Sequence, residues 1–153
     1  MIDPSPYKEL TKCRIAYNKE IVSIEYIPYQ VRPVSSLRLV KDNTIEYSWK
    51  TTNRETINRL FASRQKYDDI LIVKNDLITD TSICNVAFSD GNRWKTPEKP
   101  LLKGTQREYL LRRGTIQEAR ISTDDISKYK HISLFNAMIG FGEIILPITS
   151  INI

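Results

Sequence analysis

A lysine does chemistry as an amine only when its ammonium is stripped of water. Lys50 stands where that can be arranged, in the run Tyr47-Ser48-Trp49-Lys50-Thr51-Thr52-Asn53-Arg54. Tyr47 and Trp49 precede it, and Ile57, Leu60 and Phe61 follow at the spacing of one helix face, so apolar neighbours are expected to desolvate it. Such a lysine is a nucleophile towards carbonyl carbons and a carrier of protons. A solvated lysine at a helix start is only a charge, and with 23 lysines and arginines in 153 residues that is the ordinary reading. Other chemistry is sparsely supplied. The single histidine, His131, comes with no nucleophile-elbow pattern. Cys13 and Cys84 have no metal-type spacing with it, so both are expected to be reduced, buried thiols, and no metal site is expected.

The elements that must position Lys50 are short. Lys12–Asn18 and Ile21–Ile27 alternate in strand fashion around Asn18-Lys19-Glu20 and predict a β-hairpin. Pro28 and Pro33 bracket an extended connector, because proline nitrogen cannot join a ladder. That places a lobe boundary there, with residues 1–33 in a small N-terminal lobe and 34–153 in a larger one. A strand over Ser36–Val40 follows, then a helix capped by Thr52 or Asn53 and running to about Gln65. Ile70-Leu71-Ile72-Val73 suits a central strand, turned at Lys74-Asn75-Asp76 into Leu77–Thr79. Asn85–Phe88 and Trp94–Thr96 form a hairpin across Asp90-Gly91. Leu101–Arg107 opens a helix that runs to about Arg113 and closes at Gly114. A strand over Ile116–Ile121, a short helix capped by Thr123-Asp124-Asp125, and strands over His131–Phe135 and Glu143–Ile148 finish an α+β chain of mostly antiparallel or mixed strands.

Composition narrows the function classes. No window approaches the ~18 uninterrupted apolar residues of a membrane span, and the first residues lack the basic head and apolar core of a secretory signal. A cytoplasmic protein without a membrane partner is expected. The net charge of +5 is dispersed along the chain and interleaved with acids. That pattern argues for anionic small molecules rather than nucleic acid.

An ordered set of motifs carries more information than any one of them. Lys50 with Asn53-Arg54 comes first. Tyr67-Asp68-Asp69-Ile70-Leu71-Ile72-Val73 follows, leading to Leu77-Ile78-Thr79-Asp80-Thr81-Ser82-Ile83-Cys84-Asn85. Thr96-Pro97 and Leu102-Lys103-Gly104-Thr105-Gln106-Arg107 complete the set. Together they resemble the class IV aminotransferases, the fold-type IV pyridoxal-phosphate enzymes with a D-amino-acid-aminotransferase-like fold. The Lys-x-x-Asn-Arg run is most similar to 4-amino-4-deoxychorismate lyases. The resemblance spans roughly residues 12 to 148.

The resemblance implies a role for each matched residue. Lys50 would bond to the aldehyde carbon of pyridoxal 5′-phosphate and move protons beside it. Asp80 takes the place of the family's usual glutamate, which faces the pyridinium nitrogen and keeps it protonated; it is one methylene shorter. Gly104, Thr105 and Gln106 match the phosphate-binding turn at a helix start, with Gln106 where threonine is common. Asn136 and Ala137 fall where relatives contact the same phosphate, and Ala137 leaves only backbone contacts. The family's phosphate arginine has no counterpart, because the chain enters the pattern partway through the small lobe. Arg14 lies on a strand of that lobe, where it would either face a substrate carboxylate or remain a surface charge. Such an entry is expected to leave sheet edges exposed.

The activity so implied is that of an aminodeoxychorismate lyase of folate biosynthesis, releasing pyruvate to leave 4-aminobenzoate, in a homodimer acting on a small amino substrate. A branched-chain or D-amino-acid aminotransferase is the alternative within the family. A non-catalytic remnant serving as a structural or binding module is the alternative outside it.

Overall fold

Alternation of apolar and polar residues makes the first element a hairpin. The computed structural model describes Asp3 and residues 5–152, and the chain divides into two units, Met1–Arg32 and Pro33–Ile153. In the first unit β1 (Thr11–Tyr17) pairs antiparallel with β2 (Ile21–Pro28), from Thr11 opposite Pro28 up to a bulge at Ala16/Tyr17. The Asn18 carboxamide oxygen accepts the Glu20 N–H and closes the tip. Tyr17, Ile21 and Val22 are exposed there. Cys13, expected to be buried, is exposed on this hairpin; a two-stranded ribbon has too little mass to bury both of its faces.

The second unit holds two sheets. One has the order β11-β3-β4-β5, from β3 (Leu37–Lys41), β4 (Asp69–Lys74), β5 (Leu77–Thr81) and β11 (Ile151–Asn152). The other has the order β10-β9-β6-β7-β8, from β6 (Asn85–Ser89), β7 (Trp94–Pro97), β8 (Gln117–Ala119), β9 (His131–Phe135) and β10 (Ile144–Pro147). Two helices make the crossovers. After β3 the chain passes through α1 (Glu55–Ala62) and returns parallel to β3 as β4; after β7 it passes through α2 (Thr105–Arg112) and returns parallel to β7 as β8. The hairpins β4–β5 and β6–β7 are antiparallel, as the turn residues required. Class and mixture of strands are those of the α+β expectation. The added edge strand β11, parallel to β3, was not anticipated.

Helix boundaries shift for local reasons. α1 ends at Ala62 rather than near Gln65, because Ser63 and Arg64 bond back three residues to Leu60 and Phe61 and Gln65 turns left-handed at φ 57. Its N-cap position is Arg54, while the Asn53 carboxamide accepts the Glu55 N–H. α2 ends at a left-handed Gly114, φ +70, which a Cβ would strain. Residues 123–128 form a 3-10 helix whose N-cap is Ser122, not Thr123. Asp125 accepts from both the N–H and the hydroxyl of Ser122.

Core formation follows the apolar runs. Ile70 and Ile72 of β4, Ile57 and Leu60 of α1, Ile45, Tyr47 and Leu101 pack into one cluster. Ala87, Leu110, Ile116 and Phe135 form another between the second sheet and α2. Fully burying each such side chain contributes about 1.5–3 kcal/mol. Leu101 leads straight into the turn before α2, so the first cluster fixes where that helix starts.

Candidate functional site

The connection between β5 and β6, Ser82-Ile83-Cys84, joins the two sheets, and three separated segments converge on it and on the Asp80 and Asn85 that flank it. Its residues are polar by composition, yet Asp80, Thr81, Ser82 and Asn85 are all buried. Burying an unbonded polar group is costly, so the partners of these residues define the site.

The helix that starts at Thr105 is the first partner. Asp80 accepts the Leu102 N–H at 2.9 Å on one carboxylate oxygen and the Asn85 carboxamide at 2.8 Å on the other. The same Asn85 nitrogen donates to the Leu102 carbonyl at 2.8 Å, so both polar groups of Leu102 are held. Asn85 also explains Gly104, since a Cβ there would stand 2.3 Å from the Asn85 oxygen. Gly104 is the N-cap of α2 and brings no side-chain acceptor, leaving the start of that helix without a side-chain cap. Thr105 and Gln106 are its first two helical residues.

The segment around Lys50 is the second partner. Arg54 donates to the Ser82 carbonyl at 2.6 Å and to the Tyr47 hydroxyl at 3.0 Å, and its guanidinium lies 5.4 Å from the centre of the Tyr47 ring. Tyr47 in turn reaches the Thr51 carbonyl at 3.4 Å. Lys50 sits between these anchors and is exposed. The desolvating surroundings expected for it are not there. Ile45 and Tyr47 take the inward positions of the segment, and the chain then turns away, leaving Trp49 83% exposed.

The loop after β9 is the third partner. Asn136 donates to the Ile83 carbonyl at 3.2 Å and to the Cys84 sulfur at 3.5 Å, while its oxygen caps the N–H groups of Met138 and Ile139. Ala137 lies in the same turn. Burial, seconded by the nearby Asp69 charge, pushes the Cys84 thiol up to about 12 and keeps it inert.

Arg107, also on α2, closes the motif quoted from the sequence but was given no role there. It is 2% exposed and donates to the Pro97 carbonyl at 2.9 Å and to Glu118 at 2.7 Å, tying α2 to the end of β7 and to β8. Its position on the buried face of α2, three residues after Gly104, was the available signal. Burial pushes the Asp80 carboxyl up to about 6, against the pull of the Leu102 N–H, the Asn85 amide and the charge of Arg107. Asp80 is therefore mostly ionised at neutral pH and faces a low-dielectric interior.

A cleft of about 260 Å³ opens on the other face of β5, lined by Tyr47, Ser48, Leu77, Thr79 and Leu101 among others. Thr79 faces it and Asp80, next in the strand, points the opposite way. Neither Lys50 nor Asp80 lines it. Arg14 belongs to the N-terminal hairpin, where it pairs with Glu25 at 3.1 Å directly across the ladder. His131 is exposed at the start of β9. Among the described residues no group of three or more His, Cys, Asp and Glu side chains is placed to hold a metal, and no helix is long and apolar enough to cross a membrane.

The fold and the sequence together match a known family. The chain belongs to the class IV amino-transferases, whose family model matches residues 17–151. An uncharacterized Haemophilus influenzae protein is 46% identical over 138 residues, which is 90% of this chain and 73% of that one. A Haemophilus somnus structure provisionally named as a 4-amino-4-deoxychorismate lyase superposes with a TM-score of 0.81 at 38% identity, covering 85% of this chain and 67% of that chain. A Schizosaccharomyces pombe protein provisionally named aminodeoxychorismate lyase is 29% identical over 133 residues, and the match covers 58% of it. The fold is that of the fold-type IV pyridoxal-phosphate enzymes, which as a family are lyases and aminotransferases using that cofactor.

Proposed function

We propose that this chain carries the pyridoxal-phosphate site of an aminodeoxychorismate lyase-like enzyme, acting on a small amino substrate. The observation that carries the reading is the convergence on residues 80–85 of the Lys50 segment, the start of α2 and the Asn136 turn. The residues suit the group. Gly104, Thr105 and Gln106 offer uncapped backbone N–H groups to a phosphate dianion, with the turn of Asn136 and Ala137 completing that end. Asp80 offers a buried carboxylate to a protonated ring nitrogen, since each of its oxygens keeps a second lone pair beyond the bond it already accepts. Lys50 offers an amine on an exposed loop that Arg54 ties to the same turn.

When bound, pyridoxal phosphate supplies an aldehyde to link amines and a ring to draw off electrons. The chain's own part is distinct. Asp80 supplies a negative charge that holds the ring-nitrogen proton, and its buried position makes that charge act at short range in a low dielectric. Lys50 would hold its amine beside the reacting carbon and would carry the proton from it. The lyase rather than the aminotransferase assignment rests on the likeness to the Haemophilus somnus and Schizosaccharomyces pombe proteins. We read the N-terminal hairpin as part of the family's small lobe, with Arg14 a surface residue held by Glu25, and we assign a cytoplasmic homodimer.

Purified protein titrated with pyridoxal 5′-phosphate should develop a visible absorption band that Lys50→Ala abolishes. Given aminodeoxychorismate, the loaded protein should release pyruvate and 4-aminobenzoate. Amino transfer to 2-oxoglutarate without 4-aminobenzoate would exchange the lyase assignment for the aminotransferase one. No band at saturating cofactor would defeat the site itself.

A further inference from the structure

The Lys50 segment presents a mechanical problem. Residues 48–53 are exposed, belong to no strand or helix, and are packed by no core cluster. A loop so placed would sample many positions of the lysine amine, and fixing each residue's backbone costs about 1–2 kcal/mol. Within the segment the ties are short-range, from the Thr51 hydroxyl to the Asn53 N–H and from the Asn53 carboxamide to the Glu55 N–H. Arg54 is the residue whose bonds leave the segment for the β5–β6 connection. Its two terminal nitrogens divide the work, one on Ser82, two residues after Asp80, and the other on Tyr47, which also holds Thr51. Tyr47 is 9% exposed and wedged into the core cluster of Ile57, Leu60 and Ile70, so it is a fixed post. Both flanks of Lys50 are thereby tied to one guanidinium, and that guanidinium to the turn that carries Asp80.

We propose that Arg54 is a positioning residue, acting through Tyr47 and the Ser82 carbonyl to set where the Lys50 amine stands relative to Asp80. It touches neither cofactor nor substrate. The inference rests on the pyridoxal-phosphate reading and adds to it the device that places the lysine. The planar fork of arginine is required, since a lysine reaches one of the two acceptors and a glutamine holds neither with a charge-assisted bond.

Two cofactor forms separate positioning from folding. Pyridoxal 5′-phosphate has an aldehyde whose oxygen the Lys50 amine displaces as water to form a C=N bond, which borohydride reduces by hydride transfer to carbon. Pyridoxine 5′-phosphate has a hydroxymethyl group there and forms no such bond, so its affinity reports the phosphate and ring contacts alone. Arg54→Gln and Tyr47→Phe are each expected to slow borohydride trapping at Lys50, followed by peptide mass spectrometry, by about tenfold or more, the factor one charge-assisted hydrogen bond carries. Affinity for pyridoxine 5′-phosphate, read from tryptophan fluorescence, should stay within about twofold. Arg54→Lys should recover part of the trapping rate. Tyr47→Phe keeps the buried ring, so it tests the clamp even where Arg54→Gln fails to fold. Trapping at the wild-type rate in Tyr47→Phe and in every folded Arg54 variant would overturn the clamp, as would equal loss of trapping and of pyridoxine 5′-phosphate binding. Wild-type protein that traps no cofactor would sink the site reading, and the clamp with it.

Discussion

Replacing Asp80 by asparagine tests whether burial governs this carboxyl. The group is held near 6, whereas an unfolded chain releases the same proton near 3.8. Between those values the folded form binds more protons than the unfolded one, so the contribution of Asp80 to stability is greatest below about pH 4 and falls as pH rises through about 6. Slightly more than two pH units at 1.36 kcal/mol each make the loss about 3 kcal/mol. Asparagine cannot ionise and removes that slope. It leaves one of the two N–H donors, Asn85 or Leu102, facing an amide N–H, at a roughly pH-independent cost of about 1–3 kcal/mol. The difference between Asp80→Asn and wild type should therefore shift by about 3 kcal/mol in favour of the asparagine between pH 4 and pH 7.5. Urea unfolding followed by tryptophan fluorescence at four pH values, without cofactor, measures it. Other carboxylates cancel in the difference. Asp68, held down to about 2 by the Ser35 and Ser36 hydroxyls and N–H groups, titrates at lower pH in both proteins. A flat difference would refute the reasoning and mean that the donors on Asp80 outweigh its desolvation. A cation bound against Asp80 should also be released as the pH falls below about 6, which pyridoxine 5′-phosphate titrations would register.

Gly104→Ala drives a methyl into the Asn85 oxygen, so Asn85 must give up Asp80 and Leu102. A stability loss of about 2–4 kcal/mol is expected, and a double-mutant cycle with Asn85→Ala should show strong coupling, since truncating Asn85 makes the room. Lys50→Ala should change unfolding free energy by no more than about 0.5 kcal/mol, as an exposed surface change does, while abolishing covalent capture of pyridoxal phosphate. Arg107→Met leaves the Pro97 carbonyl unpaired and should cost about 3 kcal/mol by urea unfolding. Lowering the pH from about 4 towards 2 should destabilise the Ser35–Ser36 connection, because Asp68 must take up a proton that its four bonds exclude; Asp68→Asn should flatten that acid limb.

Local pattern made most of the elements legible. The apolar run Ile70–Val73 lies in β4, buried on both faces, and the punctuation at Asp90-Gly91 and Gly114 falls at the turns. What local pattern could not reveal were the long-range pairings. β3 with β4 and β7 with β8 are parallel and meet only after a helix, and β11 returns to β3 from the far end of the chain. Lys50 illustrates a subtler limit, because Tyr47 and Trp49 have similar chemistry but opposite fates. Which way the backbone turns after Tyr47 decides which ring is buried, and no count of apolar residues contains that information. Arg107 hid for the reverse reason, since an arginine in a surface-like helix reads as solvated until its carbonyl and carboxylate partners are known.

The family resemblance singled out Asp80, Gly104 and Asn136, and the structure gives physical causes for those residues that the resemblance did not contain. Gly104 read as a place where backbone approaches a phosphate, and the structure adds that Asn85 fills the space a side chain would need. Asp80 read as a carboxylate directed at a ligand, and it also accepts two protein N–H groups that lock the turn before α2. The proposed role and the observed one reinforce each other. A carboxylate that must meet a cation at a fixed distance has to be immobile, and the bonds that immobilise it are those that set the start of the helix. The run Thr79-Asp80-Thr81-Ser82-Ile83-Cys84-Asn85 would suit a solvated turn by composition, yet six of its seven residues are buried. So much polar burial is costly in a fold this small, and it is explained if the turn exists to hold the Lys50 segment, the α2 start and the Asn136 loop around a single charge.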